Sequence, residues 1–166
     1  SLLDRVMASG EKKLTVSLLE ELLGLAPREL VGRLIDSFAT GEPRAALEAS
    51  AELLTVGTSP EQLLEAMIDR LRDLMVMAAC GPETTLVDLS AESRAEEAQR
   101  VAQFDAAGVV HMIALCESVQ RACKSSPNPR ALIDALVVRL SLSEHLADVT
   151  GLLRKLSASG APAGKA

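Results

Sequence analysis

Apolar residues recur at steps of three and four positions along almost the whole chain, the spacing that places them on one face of an α-helix. The clearest example follows Pro60, where Leu63, Met67, Leu71 and Leu74 share one side. No segment alternates cleanly between apolar and polar residues, as a half-buried strand does. The pattern predicts an all-α fold, a helical bundle of about seven to eight helices. The predicted helices cover residues 1–9, 16–23, 27–40, 43–56, 60–80, 91–104, 106–123 and 129–140.

Several helix starts carry N-cap signals, because a short polar side chain stands just before the apolar run. Ser59 is followed three residues later by Gln62, the arrangement of a capping box. Ser90, Asp105 and Asn128 occupy the corresponding positions before three later helices. These residues fix where four of the helices should begin.

The end of the chain has a different pattern. From Leu142 the apolar residues are spaced alternately by four and three positions, ending at Leu156, and Thr150 and Gly151 interrupt this run. Two repeats of that spacing predict only a short helix–helix seam. Residues 157–166 contain Ser, Ala, Gly, Pro and Lys, a composition typical of a flexible linker.

Composition excludes several classes of function. Apolar residues make up 48% of the 166 residues and aromatic residues only 1%, and the net charge is −6. An acidic chain with two Phe offers neither a basic surface nor a stacking platform, so we expect no direct contact with nucleic acid. No apolar run approaches the ~18 residues of a membrane span, and no signal peptide is visible. Three cysteines without a Cys-x-x-Cys pair favour a reducing cytoplasm.

The chain contains no recognisable catalytic motif. Neither a phosphate-binding glycine loop nor a nucleophile elbow is present. His111 and Cys116 are five residues apart and should point to different faces, while Cys116 and Cys123 should be small core residues. We expect paired carboxylates such as Glu96 and Glu97 to lie on exposed helix faces, where nothing should separate their pKa values. We therefore predict no catalytic, cofactor-binding or metal-binding residue.

The methionines allow one alternative function. Met67, Met75, Met77 and Met112 could line an apolar pocket, because methionine adapts its shape to a ligand. The chain would then be a helical regulatory or small-molecule-binding module. Core filling is the commoner use of such residues, and the sequence does not decide between the two.

The order of several short segments resembles the γ/τ subunit of the bacterial DNA polymerase III clamp loader. Ser1–Ala8 is similar to the end of that subunit's lid domain, and Leu22–Leu25 to the segment that follows it. Gly57–Leu64 and Leu71–Leu74 resemble the long helix in the first half of its third domain. Ser125–Arg130 resembles the turn before its final helix, with Pro127 as an apparent insertion. The resemblance covers about residues 1–147.

The resemblance implies a role in assembly. The third domain of that family is an all-helical collar that joins γ/τ copies to the δ and δ′ subunits in a ring, which loads the sliding clamp onto primed DNA. It implies three regions: the end of the lid domain at residues 1–24, the collar at 25–147, and an extension and linker at 148–166. The ATP and zinc sites of the family lie in domains that precede Ser1, so we expect this chain to have no enzymatic activity. It starts without Met and ends in a linker-like segment, so we expect it to be part of a longer protein.

A collar must present helix faces to its neighbours. We expect the subunit interface on the fourth, seventh and eighth predicted helices, and the candidate residues come from the eighth. The predicted interface residues are Arg130, Leu132, Val137, Val138 and Arg139.

Overall fold

The computed structural model describes residues 25–142, which form six helices and no strand. They are α1 (Arg28–Ala39), α2 (Pro43–Thr55), α3 (Pro60–Cys80), α4 (Ala91–Val101), α5 (Ala106–Cys123) and α6 (129–142). The all-α prediction is confirmed for this range. The two further predicted helices, 1–9 and 16–23, lie outside the described residues, as does the predicted seam and linker after Leu142. The predicted boundaries at 24/25 and 147/148 therefore stay predictions.

The helix starts predicted from N-cap residues agree with the structure. The Ser59 hydroxyl accepts a hydrogen bond from the Gln62 backbone N–H at 3.2 Å, and the Gln62 side-chain oxygen accepts from the Ser59 N–H at 2.8 Å. Ser90 and Asp105 cap α4 and α5 in the same way, by accepting from the N–H three residues on. These bonds satisfy backbone donors that the first helical turn leaves unpaired, and the one between Ser59 and Gln62 is reciprocal.

Two helix ends differ slightly from the prediction. Pro27 is the residue before α1, not part of its first turn, and α4 ends at Val101 rather than near Phe104. Gly57 and Gly81 follow α2 and α3 with φ angles of 100° and 90°, which side chains with a Cβ rarely adopt. Glycine therefore ends these two helices, as the sequence indicates.

The core lies around the long helix α3. Helix α5 packs along α3, α1 pairs with α2, and α4 contacts α3 at one side. Helix α6 adds Ile133, Leu136, Val137 and Leu140 to the same apolar cluster. Phe38 is the largest side chain in this core and is fully buried. Aliphatic side chains supply nearly all of the remaining packing, which the composition predicts.

Candidate functional site

Helix α6 has one face in the core. Asn128 begins the helix, because its side-chain oxygen accepts a hydrogen bond from the Ala131 N–H at 3.3 Å. Ile133 and Leu140 are fully buried, and Leu136 is 3% exposed. Residues at these spacings share one side of a helix with 3.6 residues per turn. The opposite side of α6 is consequently turned away from the core.

That opposite side is apolar too. Ala131, Ala135 and Leu142 are exposed and Val138 is half-buried, and Leu142 leaves 43% of its surface in solvent. Steps of four, three and four residues place these four side chains within an arc of about 60°. We call these four residues the outer stripe of α6. Small residues such as alanine allow a second helix to approach closely.

Four of the five predicted interface residues lie at the surface or at its edge. Arg130 is exposed and its guanidinium lies 3.9 Å from the Asp134 carboxylate, one turn further on. Arg139 is exposed, Val138 belongs to the outer stripe, and Leu132 is half-buried against the core cluster. Arg130 and Arg139 flank the stripe on its two sides. Whether these residues contact another subunit stays a prediction.

The structure does not place Val137 at the surface, contrary to its prediction as an interface residue. Its side chain is fully buried, because it lies on the core side of α6 beside Leu140. It therefore has no surface to offer a partner. Sequence reasoning also missed Ala131, Ala135 and Leu142, although their four–three–four spacing leads directly into the seam predicted from Leu142 onward.

A buried ionic cluster lies where α1, α3 and α4 meet. Glu97 of α4 is only 1% exposed, and its Oε1 atom is approached by three arginines. Arg70, itself 8% exposed, is in direct contact; Arg100 Nη1 lies at 3.3 Å and Arg28 Nη2 at 3.9 Å. Arg100 also donates to both oxygens of Asp36, at 2.7 and 3.2 Å. The cluster joins three helices through side chains distant in sequence.

Burial has the largest effect on the pKa values of Glu97 and Arg70 in this cluster. Burial raises the pKa of the Glu97 carboxyl, while the attraction of Arg70, Arg100 and Arg28 acts to lower it. Burial also lowers the pKa of the Arg70 guanidinium, against the attraction of Glu97. Glu97 Oε2 and Arg70 Nε are buried without a hydrogen-bond partner in the described part of the chain. The hydrogen-bonding capacity of the Arg70–Glu97 pair is thus only partly used. Loss of either partner would leave the other as a buried, poorly compensated charge and would destabilise the fold.

The predicted exposure of paired carboxylates is wrong for Glu97. Glu96 is exposed, with 59% of its side chain in solvent, whereas Glu97 faces the bundle. Burial raises the pKa of Glu97, contrary to the prediction that nothing would distinguish the two. The arginines reach it across α1 at Gly32, where a Cβ would lie 3.0 Å from Arg100 Nη2 and 3.3 Å from Arg70 Nη2. A glycine at this position leaves room for the two guanidinium groups.

A groove runs between the start of α1 and one side of α3. Its volume is about 470 Å³, and it is open to solvent. Leu25, Ala26, Val31 and Ala66 form its apolar surface. Its polar lining consists of Arg28, Gln62, Glu65, Asp69, Arg70 and Asp73. We call this feature the α1–α3 groove.

The methionines do not line this groove. Met67, Met77 and Met112 are at most 3% exposed and belong to the interior, and Met75 is partly buried against the core. Among residues 25–142, no methionine contributes to the α1–α3 groove. Within the described residues they fill the core, so the alternative of a Met-lined ligand pocket gains no support from this groove.

Cys116 and Cys123 are placed in the core, as predicted. Cys116 and Cys123 are buried and unpaired, and Cys80 is exposed. His111 is exposed, so it faces away from Cys116 on the same helix. Burial raises the pKa of the Cys116 thiol to about 12, far above the range in which thiolates act as nucleophiles.

Residues 25–142 contain no group of three His, Cys, Asp or Glu side chains arranged to hold a metal ion. No helix in this range is long and apolar enough to cross a membrane.

Comparison with known proteins gives two matches. Residues 14–156 match the family described as DNA polymerase III subunits gamma and tau domain III. The chain is also 26% identical over 162 residues to DNA polymerase III subunit tau of Bacillus subtilis (strain 168). That alignment covers 94% of this chain and 28% of the relative, so the chain spans little more than a quarter of its length. No solved structure matches significantly.

Proposed function

Because the chain belongs to the family of domain III of the gamma and tau subunits of DNA polymerase III, as its sequence resemblance indicated, we propose that it is a collar domain. In this role it joins its own subunit to further γ/τ copies and to the δ and δ′ subunits of the clamp loader. The assembled ring would then load the sliding clamp onto primed DNA. The domain itself supplies contact surface and no chemistry, and it would work in the cytoplasm with the rest of the replication machinery.

The observation that carries this proposal is the outer stripe of α6. Ala131, Ala135, Val138 and Leu142 form an apolar row on the side of the helix opposite the core. The alanines permit helix axes to approach to about 8–10 Å, and Val138 and Leu142 supply apolar area for burial. A protein interface is apolar at its centre and polar at its rim.

The flanking charges fit the same proposal. Arg130 and Arg139 lie on either side of the stripe, where they would form part of a polar rim. A stable interface buries roughly 800 Å² on each partner, more than one stripe provides. The outer stripe would therefore be the centre of a larger contact that includes neighbouring helix faces.

Assembly with partner subunits tests the proposal directly. The full-length subunit would be mixed with the δ and δ′ subunits of the same organism, and complex formation followed by analytical ultracentrifugation. Ala135→Arg and Leu142→Arg each place a long cation on the outer stripe. We expect each variant to weaken assembly by about tenfold or more, because burying an unpaired charge in an apolar contact is costly.

The matched control is Ala114→Arg, at an exposed position of α5. It makes the same substitution on a helix surface away from the stripe, so assembly should be unchanged. All variants should retain the helical circular dichroism and thermal midpoint of the wild type. Normal assembly by both stripe variants, or equal loss in the control, would contradict the proposed interface, and failure of the wild-type subunit to associate would contradict the collar role itself.

A further inference from the structure

The α1–α3 groove is long and shallow. It extends from Gln62 to Asp73, which corresponds to about 16 Å along α3. A helix of that length, with a diameter of about 10 Å including its side chains, fills about 1,250 Å³. The groove holds about 470 Å³ and is open to solvent. It can therefore receive the side chains on one face of a helix, but not a whole helix.

The outer stripe of α6 has the matching length. From Ala131 to Leu142 it runs about 16 Å along one face of the helix. The opposite side of α6 is fixed in the core of its own chain, where Ile133 and Leu140 are fully buried. Within the described chain, no residue of α6 lines the groove. A second copy of the chain is therefore needed to bring a stripe and a groove together.

The α3 edge of the groove is acidic. Glu65 and Asp69 are exposed and lie one turn apart, and neither takes part in an ion pair within residues 25–142. Asp73, the third acidic residue of the lining, is paired with Arg72 at 2.9 Å. This edge therefore presents two carboxylates to a partner.

The α1 edge of the groove is basic. Arg28 leaves 43% of its side chain exposed and lies 3.9 Å from Glu97. Arg70 is 8% exposed and is in direct contact with the same carboxylate. These two arginines and the three acidic residues of α3 are all the charged residues of the lining. A partner that fits both edges must carry a cation on one side of an apolar row and an anion on the other.

The charges beside the outer stripe have this arrangement. At 3.6 residues per turn, Arg139 lies about 70° to one side of the centre of the stripe, and Asp134 lies about 70° to the other side. Arg130 lies beyond Asp134, at about 110°, and is 3.9 Å from it. These three residues are all the charged residues of α6. The stripe therefore has a cationic edge and an edge that begins with a carboxylate.

We propose that the outer stripe of one copy of the chain docks in the α1–α3 groove of a second copy. In this arrangement Arg139 faces Glu65 and Asp69, and Asp134 faces Arg28. The apolar row of the stripe covers the apolar surface of the groove at the centre of the contact. The inference rests on the collar proposal, since it uses the same stripe, and it adds the surface that receives the stripe.

The stripe and the groove are different surfaces, which determines how copies can add. One contact leaves a groove unused on one copy and a stripe unused on the other. A further copy can bind at either position, so the arrangement permits the head-to-tail addition that builds a ring. If one of the two surfaces is blocked on every copy, no contact of this kind can form between identical chains.

Mixing two variants of the whole chain tests the contact. Ala135→Arg blocks the stripe and leaves the groove intact, and Glu65→Arg with Asp69→Arg reverses the acidic edge and leaves the stripe intact. In analytical ultracentrifugation each variant alone should self-associate about tenfold or more weakly than the wild type. An equimolar mixture should form a complex of one copy of each and nothing larger, because one usable stripe and one usable groove remain in each pair.

The control is Glu83→Arg with Asp88→Arg, which makes the same change of charge at exposed positions in the loop before α4. It should self-associate like the wild type, and every variant should retain the helical circular dichroism of the wild type. Normal self-association of the groove variant would overturn the proposal in favour of contact between two stripes.

Two further results would also overturn the proposal. One is a wild-type chain that stays monomeric at the highest concentration tested, and the other is a mixture of the two variants that forms no complex. The full-length subunit would still bind the δ and δ′ subunits in either case if the collar proposal is correct. Failure of this contact can therefore be distinguished from failure of the collar role.

Discussion

Loss of Arg70 should destabilise the protein in a pH-dependent way. Arg70→Met keeps most of the side-chain volume but removes the closest counter-charge of Glu97, and both residues are more than nine-tenths buried. Removing one partner of a buried pair typically costs about 3–5 kcal/mol of folding free energy. Arg100 at 3.3 Å and Arg28 at 3.9 Å remain beside Glu97, so we expect the lower end, about 3 kcal/mol near neutral pH.

The pH dependence follows from the carboxyl group left behind. Burial already raises the pKa of Glu97 in the folded protein, and removal of Arg70 should raise it further. A group whose folded-state pKa exceeds its unfolded value contributes stability that is present at low pH and is lost as the pH rises through the folded pKa. The penalty of Arg70→Met should therefore be largest near neutral pH, and it should shrink as the pH falls through the raised folded-state pKa of Glu97 and this carboxylate takes up a proton.

A second substitution separates charge from packing. Adding Glu97→Gln to the Arg70→Met variant removes the buried charge while keeping the shape of the side chain. Arg100 retains its two bonds to Asp36, and Arg28 is 43% exposed and can be solvated. We therefore expect the double variant to regain much of the lost stability at neutral pH and to lose most of the pH dependence.

Urea unfolding followed by far-UV circular dichroism measures these differences at several pH values. Arg72→Met is the matched control, because Arg72 is on the same helix but is 53% exposed and forms its ion pair with the neighbouring Asp73. It should change stability by no more than about 0.5 kcal/mol. A loss for Arg70→Met that is independent of pH, together with no recovery in the double variant, would refute the electrostatic reasoning and leave packing as the cause.

Three further outcomes are expected from single sites. In the native protein a maleimide or disulfide reagent should label the exposed Cys80 and spare the buried Cys116. Because the pKa of the Cys116 thiol is about 12, its reactivity should not rise between about pH 7 and 10. Labelling of both thiols at equal rates would contradict the burial of Cys116. Ser59→Ala removes the hydroxyl that accepts from the Gln62 N–H, and it should lower the free energy of unfolding in a urea titration by about 1 kcal/mol. An unchanged free energy would show that this cap does not stabilise the fold. In the same titration Val137→Ala should lower the free energy of unfolding by about 2 kcal/mol and Val138→Ala by less than about 0.5 kcal/mol, because Val137 is fully buried. Equal losses for the two variants would contradict the burial of Val137.

The helices and their starts were predictable because the signals are local. Ser59, Ser90 and Asp105 each accept a hydrogen bond from a backbone N–H only three residues away, so the sequence around each cap contains both partners. The apolar spacing of α3 likewise identifies its buried face within a few turns. Information of this kind needs no knowledge of how the helices pack.

The burial of Glu97 could not be predicted in the same way. Helix α4 is strongly charged, and Glu96 and Glu97 are adjacent, so a choice between them depends on which side of α4 meets the bundle. Arg28 and Arg70 come from two other helices, 69 and 27 residues before Glu97 in the sequence. Only Gly32 gives a local hint, since a glycine inside a helix often marks a close approach by another group.

The cluster also determines how α4 is held. Glu97 is the one residue of α4 that is fully buried, and within the described chain this helix packs mainly against α3. Arg100 ties it to Asp36 of α1, and Arg94 donates to the backbone carbonyls of Pro82, Thr84 and Val87 in the preceding loop. Salt screens the buried Arg70–Glu97 pair little, but the Arg100–Asp36 pair leaves 17% and 42% of its side chains in solvent, so rising salt should weaken this attachment of α4 to α1. Rising salt should therefore speed hydrogen exchange in α4 before it affects α3 or α5, and uniform exchange across the helices would show that apolar contacts hold α4 equally well.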